Sequence, residues 1–311
     1  MNIETLRIFC DVVQRQSFSR GAAVNDVSQS AATQSVHRVE RLFGVQLVDR
    51  TKRPFVLTPE GQVCYEGFRE VVELFDAAEA RVRLMREEIG GTVRVAAIYS
   101  VGLHDMRQCM QDFMRRFPEA KVRLEFSHPH RVREAVLNSD VDLGILSYPT
   151  PSADLTVIPL RSERMVLVCH CDHPLAREDA VTAEHLQNQD FVGFDPDLSI
   201  RKEIDRTMQQ RGVKIRRVME FDNIETIKQA VGIGAGVSIL PEPTVREEAR
   251  NGTLAVVNLI APEMRRPIAI IHRQRKAFSP AAIKFIELLR EVQGSPPEEE
   301  DAEAESTGED S

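Results

Sequence analysis

The sequence predicts an α/β protein that opens with a winged helix-turn-helix and continues through one long helix. Two short helix patterns meet at the turn pair Asn25-Asp26 and lead into the basic segment 50–53. An apolar repeat then runs from residue 64 to residue 89. After Gly91, short apolar strands alternate with amphipathic helices, which is the pattern of a parallel sheet covered by helices. These three observations together predict the fold class.

Three short helices are predicted in the first sixty residues. The first covers residues 3–15 and braces the two that follow. Ser17 or Ser19 caps the second helix and Ser28 caps the third, since a hydroxyl can accept a hydrogen bond from a first-turn amide. Gly44 ends the third helix, because glycine readily takes the left-handed conformation found there.

The outward face of the third helix is rich in amides and hydroxyls rather than in Glu and Lys. Such side chains form hydrogen bonds with base edges in the major groove of DNA. Cations follow in the predicted wing, where they suit the phosphate backbone. The alternative is a helical bundle whose polar face is merely solvated. The predicted base-reading residues are Ser28, Gln29, Ser30, Thr33 and Gln34, and the predicted phosphate contacts are His37, Arg38, Arg50, Lys52 and Arg53.

A long helix is predicted over residues 59–88. Pro59 suits its first position and Glu60 suits the positive end of its dipole. Its apolar residues recur at alternating spacings of four and three, the heptad pattern of a two-stranded coiled coil. We therefore predict a dimer, which would present two recognition helices to a dyad-symmetric site on double-stranded DNA. A long helix packed on its own domain is the alternative. The seam comprises Cys64, Phe68, Val71, Phe75, Ala78, Val82, Met85 and Ile89.

Ligand-binding residues of the α/β part are expected beyond the carboxyl ends of the strands, next to helix N-termini. Predicted strands over 92–98, 122–126 and 141–146 end beside serines, and a helix is predicted over Val101–Phe117. Exposed amides and hydroxyls at such positions suit a carboxylate or another small anion. Ordinary helix caps explain most of these residues equally well. The candidates are Ser100, Val101, Ser127, Ser147, Ser199, Ile200, Arg201 and Asn223.

Composition narrows the class of protein. The net charge is −8, but residues 295–311 alone carry eight carboxylates, so an acidic total does not oppose a nucleic-acid partner. We predict that this acidic tail is disordered. The five cysteines are odd in number and scattered, which argues against a disulfide framework. The sequence shows neither a signal-peptide pattern nor an apolar run long enough for a bilayer, so we expect a cytoplasmic protein without a membrane partner.

Catalytic and metal signatures are weak in this sequence. The motifs GxSxG and HExxH are absent. Cys169, His170 and Cys171 are adjacent, but strand alternation places His170 on the face opposite the two thiols. We predict that the protein is not an enzyme and has neither a metal site nor a cofactor.

Residues 1–60 resemble the DNA-binding domain of LysR-type transcriptional regulators. This chain departs from the family pattern at Thr33 and Gln34, where Ser and Arg are usual, and at Val48, where Phe is frequent. Gln34 lacks the usual cation, which alters base preference at that position. The resemblance extends more weakly to residue 294. The matching residues are Leu6, Phe9, Ser17-Phe18, Ala22-Ala23, Ser28 to Ala31, Val39-Glu40, Phe43-Gly44, Leu47, Arg50 and Leu57 to Gly61.

The resemblance implies an architecture for the remaining chain: a two-lobed effector domain similar to a small periplasmic binding protein, with an effector cleft between the lobes. The crossing strands are expected near Leu160–Val166 and Arg266–Ile271. The domains are then a winged helix-turn-helix (1–58), a dimerisation linker helix (59–90), an effector-binding domain (91–294) and an acidic tail (295–311). Lobe I comprises 92–161 and 268–294, and lobe II comprises 162–267.

The resemblance also implies a function: sequence-specific regulation of transcription, controlled by a small-molecule effector. It implies a homotetramer as the assembly and RNA polymerase as a further partner. The alternative is a cytoplasmic solute-binding or enzymatic α/β protein with an accessory helical domain. A nucleoid-type architectural protein is a third alternative, although the amide-rich face of the third helix argues against it.

Overall fold

A computed structural model describes residues 1–85, 89–102, 106–274 and 276–292. Contacts divide the chain into two units: Met1–Ile89 with Arg275–Ala281, and Gly90–Gln274 with Ala282–Ser311. The predicted disordered tail and the last three residues of the predicted linker helix, 86–88, lie outside the described residues. Within those residues, no helix is both long and apolar enough to cross a membrane.

The first unit has the predicted winged helix-turn-helix and the start of the long helix. The side chains of Ser17 and Ser28 accept hydrogen bonds from Arg20 N and Ala31 N, which fixes the starts of the second and third helices. Gly44 ends the third helix with φ at 70°. The elements are α1 Ile3–Gln14, α2 Phe18–Val24, α3 Gln29–Phe43, β1 Val48–Asp49, β2 Val56–Leu57 and α4 Pro59–Met85.

Helix α4 is tied to α1 by contacts at Phe68 and Asp76. Phe68 packs edge-on against Phe9, with ring centroids 5.6 Å apart. Both guanidinium nitrogens of Arg7 bind the carboxylate of Asp76, at 3.0 and 2.6 Å. Phe68 is 9% exposed and therefore belongs to the core of its own domain, not to an exposed seam. The structure thus divides the predicted heptad seam, because its first turns pack on α1.

Part of the predicted seam lies on the surface. Val71 and Phe75 are each 47% exposed, and Val82 is 54% exposed. Leu74, which the heptad pattern did not include, is 71% exposed beside them. An apolar stripe on a helix surface is the feature that a coiled-coil partner covers. Helix α4 therefore packs on its own domain at some positions and exposes an apolar stripe at others, and pairing through that stripe stays a prediction.

The second unit contains the α/β part of the chain. Short apolar runs form its strands, and the more regularly amphipathic segments form its helices. The elements are β3 Gly91–Ala97, α5 Tyr99–Gly102, α6 Met106–Arg116, β4 Ala120–Phe126, α7 Pro129–Leu137, β5 Leu143–Ser147, β6 Leu155–Cys169, β7 Ala180–Val181, β8 Asp190–Phe194, α8 Ser199–Gln210, β9 Arg216–Phe221, α9 Ile224–Gly232, β10 Ser238–Pro241, α10 Arg246–Asn251, β11 Ala255–Leu259, β12 Arg265–Arg273 and α11 Pro280–Val292.

Two long strands run through both halves of the main sheet, whose order is β4-β3-β5-β12-β6-β11-β7, with β10 beside β6. Strands β3, β4 and β5 are parallel to one another and, with the first part of β6, belong to lobe I. The last part of β6 pairs with β10 and β11 in lobe II. Strands β8 and β9 form a separate parallel pair in lobe II. Since β6 and β12 are the elements shared by both lobes, they form the hinge between them.

Several elements differ from the sequence-based expectations. The apolar pattern of residues 155–170 predicts two strands, Leu155–Leu160 and Arg164–His170, but β6 is a single strand. In β12, Ile268 pairs with Arg161 and Ala269 pairs with Pro159, so the pairing has a register shift at this point. This irregularity lets β6 continue past Pro159. The described part of the helix predicted over Val101–Phe117 belongs to α5 and α6, and residues 103–105 lie outside the described residues. Helix α10 and strand β11 were not predicted, because Asn258 interrupts the apolar pattern of the strand.

Candidate functional site

The outward face of α3 carries exposed amides and hydroxyls. Ser28, Gln29, Ser30 and Gln34 are all exposed. Ser19 donates a hydrogen bond to the Oε1 atom of Gln29 at 2.9 Å, so the side-chain amide nitrogen of Gln29 is left as a donor. Ser28 and Ser30 share a hydrogen bond of 2.8 Å between their hydroxyls.

Thr33 has a different environment from the other predicted base-reading residues. It is partly buried, and its hydroxyl donates to the backbone carbonyl of Gln29 at 2.9 Å. Because its hydrogen is used in this way, Thr33 presents to the helix surface only the acceptor positions of its hydroxyl oxygen and its methyl group.

A buried carboxylate joins α3 to the wing. Glu40 is 8% exposed. Its Oε2 atom accepts a hydrogen bond from Arg50 at 2.9 Å and lies 3.1 Å from Nδ1 of His37. Its Oε1 atom accepts from the backbone N–H of Leu47 at 3.2 Å. The Arg50 guanidinium also lies 5.7 Å from the ring centroid of Phe18. His37 and Arg50 therefore join α3 to the wing through Glu40, and the phosphate contacts predicted for them stay a prediction.

The other predicted phosphate contacts are on the surface. Arg38 is exposed on α3, and Lys52 and Arg53 are exposed between the two strands of the wing. A row of cations beside a hydrogen-bonding helix face has the charge and chemistry needed to hold a DNA backbone while the helix meets base edges.

A cleft of about 480 Å³, a volume that includes space open to solvent, lies between the two lobes of the second unit. Both lobes contribute residues at the carboxyl ends of their strands, as expected for α/β sheets. The cleft is lined by Ile98, Tyr99, Ser100, Ser127, His128, Pro129, Ser147, Phe194, Leu198, Ile200, Asp222, Asn223, Ile224 and Arg266.

Five of the eight predicted effector-binding residues line this cleft: Ser100, Ser127, Ser147, Ile200 and Asn223. The other three do not. Val101 is 1% exposed in lobe I, and Ser199 is exposed but does not line the cleft.

Arg201 is the third residue outside the cleft. It is buried within lobe II, where its guanidinium binds Asp205 and Glu220, each at 2.7 Å. It also donates to the backbone carbonyl of Phe194 at 2.6 Å. Two carboxylates of its own lobe therefore bind the Arg201 guanidinium. A position at the start of a helix was not sufficient to identify a cleft residue.

Arg266 is a cleft residue that sequence reasoning missed. It is 2% exposed, and its Nη2 atom donates to Oγ of Ser100 at 2.5 Å. Its Nη1 atom binds Glu163, which is 4% exposed, at 3.2 Å. The Nε atom of Arg161 binds the same carboxylate at 2.8 Å. Arg266 lies on the predicted return strand, but a buried arginine within a strand has no sequence pattern of its own.

The lobe II side of the cleft is acidic. Asp222 lines the cleft, and burial together with the neighbouring carboxylates of Asp222, Asp197 and Glu220 raises the pKa of Asp195. His128 of lobe I faces this group, with its Nε2 atom 3.5 Å from Asp197. Neither His128 nor Asp222 is among the residues that the sequence predicted for this cleft.

The adjacent cysteines and histidines near residue 170 make other contacts. The thiol of Cys171 donates to the carbonyl of Gly252 at 3.2 Å. The Nδ1 atom of His173 accepts a hydrogen bond from the backbone N–H of Leu175, also at 3.2 Å. Over the ranges that the structure describes, no three His, Cys, Asp or Glu side chains are grouped as metal ligands.

Comparisons with known proteins agree with this arrangement. Residues 3–62 match the family model described as "Bacterial regulatory helix-turn-helix protein, lysR family". Residues 86–294 match the model described as "LysR substrate binding domain". The HTH-type transcriptional regulator YfeR of Shigella flexneri is 32% identical over 290 residues, which cover 93% of this chain and 94% of that protein. A probable RuBisCO transcriptional regulator of Synechocystis sp. is 28% identical over 91% of this chain and 84% of its own length.

Solved structures show the same fold. A full-length OxyR variant from Pseudomonas aeruginosa aligns with a TM-score of 0.76 at 24% identity and covers 94% of both chains. The regulatory domain of Synechocystis CcmR, in complex with 2-PG, aligns with a TM-score of 0.61 at 24% identity, over 66% of this chain and 99% of that one. With both family models matched in order along the chain, this protein belongs to the LysR family of transcriptional regulators.

Proposed function

We propose that the protein reads a dyad-symmetric DNA operator through Ser28, Gln29, Ser30 and Gln34, with Thr33 in a secondary role. Arg38, Lys52 and Arg53 neutralise phosphates. The observation that carries this proposal is the exposed amide and hydroxyl face of α3, which Glu40 fixes to the wing. His37 and Arg50 are assigned to that fixation. Because its partner is chromosomal DNA, we place the protein in the cytoplasm.

Gln29 is the residue whose role is most sharply defined. Its carbonyl oxygen already accepts a hydrogen bond from Ser19, so its amide nitrogen is the group available for a base. A donor in the major groove pairs with the N7 atom of a purine or with O6 of guanine or O4 of thymine. Gln29 therefore favours acceptor edges at one position of each half-site.

The test compares Gln29→Ala with Lys52→Ala. Operator sequences are first selected from random duplexes with the wild-type protein and located by nuclease footprinting. Gln29→Ala is expected to relax discrimination at one base pair by about 1–3 kcal/mol, whereas Lys52→Ala weakens all sequences alike and lowers the salt slope by about 1. Gln62→Ala, an exposed change on α4, is the matched control. If the two test variants lost affinity in the same sequence-independent way, the assigned roles would be wrong.

A small anionic effector is proposed for the cleft. Three serine hydroxyls, the Asn223 amide and the Arg266 guanidinium line it, and these groups suit a carboxylate or a phosphate. The related CcmR domain has 2-PG bound. Such an effector acts only if it binds two arrangements of the lobes with different affinity, and the shift between them then alters the contact with DNA or with RNA polymerase.

A homodimer through residues 59–88 is proposed, and the family resemblance extends this to a homotetramer. The exposed stripe of Val71, Leu74, Phe75 and Val82 on α4 supports a paired helix. Phe75→Glu is expected to convert the dimer to monomers in sedimentation, because a carboxylate in a coiled-coil seam loses its hydration. Gly67→Ala, whose added Cβ meets no atom within 4 Å, is the control. A Phe75→Glu protein that remained dimeric would locate the interface elsewhere.

A further inference from the structure

An ion pair joins the two lobes across the cleft. The Nε2 atom of His128, in lobe I, lies 3.5 Å from Oδ2 of Asp197, in lobe II. His128 also lines the cleft, and Asp197 lies on the loop between β8 and α8. The two partners belong to different lobes. A movement that opens the cleft at this point therefore separates them.

The start of α7 places the imidazole of His128 for this contact. His128 precedes Pro129, the first residue of the helix, and its side chain makes no capping hydrogen bond. Within the part of the chain that the structure describes, the imidazole has no hydrogen-bond partner in lobe I. A positive charge at a helix start is unfavourable by itself. The carboxylates of lobe II must therefore supply the attraction that holds a protonated ring there.

Three carboxylates of lobe II are grouped near this histidine. Asp195 and Asp197 lie on the loop after β8, and Asp222 follows β9 and lines the cleft. Burial and the charges of Asp222, Asp197 and Glu220 raise the pKa of Asp195, and the charge of His128 opposes this rise. Carboxylates that are close together repel one another. A cation from lobe I therefore stabilises this edge of lobe II when the lobes are together.

The other ionisable groups around the cleft do not change charge in the neutral range. Arg201 binds Glu220 inside lobe II. Arg266 and Tyr99 line the cleft, and Arg266 binds Glu163. Arginine keeps its charge and tyrosine stays neutral at these pH values. Histidine is the side chain that ordinarily gains or loses its charge between about pH 5 and 8. The histidine of this ion pair is therefore the group that can make the cleft respond to pH.

We propose that protonation of His128 closes the cleft. The protonated imidazole binds Asp197 and offsets the repulsion among the lobe II carboxylates, which holds the lobes together on this side. The neutral imidazole attracts the carboxylates less, so the open arrangement gains population as the pH rises. A proton that binds the closed arrangement more tightly than the open one shifts the equilibrium in the same way as any other ligand. Acidity is thus a second input to the lobe movement, independent of the effector.

The test measures the distance between the lobes as a function of pH. Spin labels are attached at Asn138→Cys of lobe I and Arg250→Cys of lobe II, both exposed positions outside the cleft lining. The exposed Cys171 is replaced by Ser, and the full-length labelled protein is diluted with unlabelled protein so that only distances within one chain are measured. Because the ion pair is partly exposed, the ratio of closed to open protein is expected to be about two- to fivefold higher at about pH 5.5 than at about pH 8.

Two substitutions of His128 separate its charge from its size. His128→Gln has no charge at any pH, so the protein is expected to keep the more open ratio of the higher pH throughout. His128→Lys is charged throughout, so the protein is expected to keep the more closed ratio of the lower pH. Asp197→Asn should reduce the pH response. The control is His130→Gln, which removes an exposed histidine paired with Glu134 inside lobe I and leaves the response unchanged. Thermal unfolding at both pH values shows whether each variant is folded.

Three results overturn the proton-linked closure. The first is a wild-type protein whose distance distribution is the same at both pH values. The second is a His128→Gln protein that keeps the full pH response, which would assign the response to another group such as Asp195. The third is a His128→Lys protein that is as open as His128→Gln, because the charge of the side chain would then be irrelevant. None of these results affects the proposed effector site, since effector binding is measured separately at a fixed pH.

Discussion

The DNA-reading face and the ligand cleft are assembled in opposite ways. The face draws its residues from one stretch of chain, between Ser28 and Arg53, and its geometry follows from two caps and one buried glutamate. The cleft draws residues from Ile98 at one extreme and Arg266 at the other. Local chain geometry specifies the first site, whereas the pairing of distant strands specifies the second. The cleft is therefore the more sensitive to changes in the hinge between its lobes.

The largest expected effect tests that sensitivity at the hinge. Glu163→Gln removes the carboxylate that binds the buried guanidinium of Arg266 and the partly buried one of Arg161, and loss of one partner from a buried ion pair costs about 3–5 kcal/mol. Urea denaturation is expected to show this loss, with hydrogen exchange in β6 and β12 locating it. The exposed change Glu247→Gln should stay within about 0.5 kcal/mol. Unchanged stability in Glu163→Gln would mean that the cleft does not depend on this network.

A smaller loss is expected where two helices of the DNA-reading domain cross. A Cβ atom at Gly21 would lie 2.6 Å from Cγ2 and 2.7 Å from Cα of Val12, so Gly21→Ala must push α1 and α2 apart. Overpacking of this kind costs about 1–3 kcal/mol, and DNA affinity should fall with it. Gly67→Ala on α4 has open space and should instead stabilise the protein by about 0.5–1 kcal/mol. Equal effects of the two changes would contradict the close crossing.

The smallest expected change in stability distinguishes a residue that fixes the wing, Arg50, from a residue that only contacts DNA, Lys52. Arg50→Ala removes a hydrogen bond to Glu40 from a partly exposed guanidinium, for which about 1 kcal/mol of stability is expected. Lys52→Ala should leave stability unchanged and affect only binding to DNA. Thermal unfolding without DNA distinguishes them. If Arg50→Ala unfolded like the wild type and altered only the salt dependence of binding, Arg50 would be a phosphate contact after all.

The same contrast explains what the sequence could predict. The caps at Ser17 and Ser28, the turn between them and the end of α3 at Gly44 each depend on residues that are close in sequence, so α1 to α3 were predictable. The contact between Arg50 and Glu40 was not predictable, because Glu40 lies ten positions away on another element. In the cleft, serines at strand ends were predictable from topology. Arg266 and Asp222 were not, because their roles depend on the lobes that come together around them.

The attachment of α4 to α1 has a consequence for the spacing of operator half-sites. Phe68 and Asp76 hold α4 to the domain that carries the recognition helix, so the helix and the domain turn together. If two copies pair through the exposed stripe of Val71, Leu74, Phe75 and Val82, a slip of one heptad moves one domain by about 10 Å relative to the other. That distance is about three base pairs of DNA. The register of pairing along the stripe then decides which inverted repeats the dimer can span.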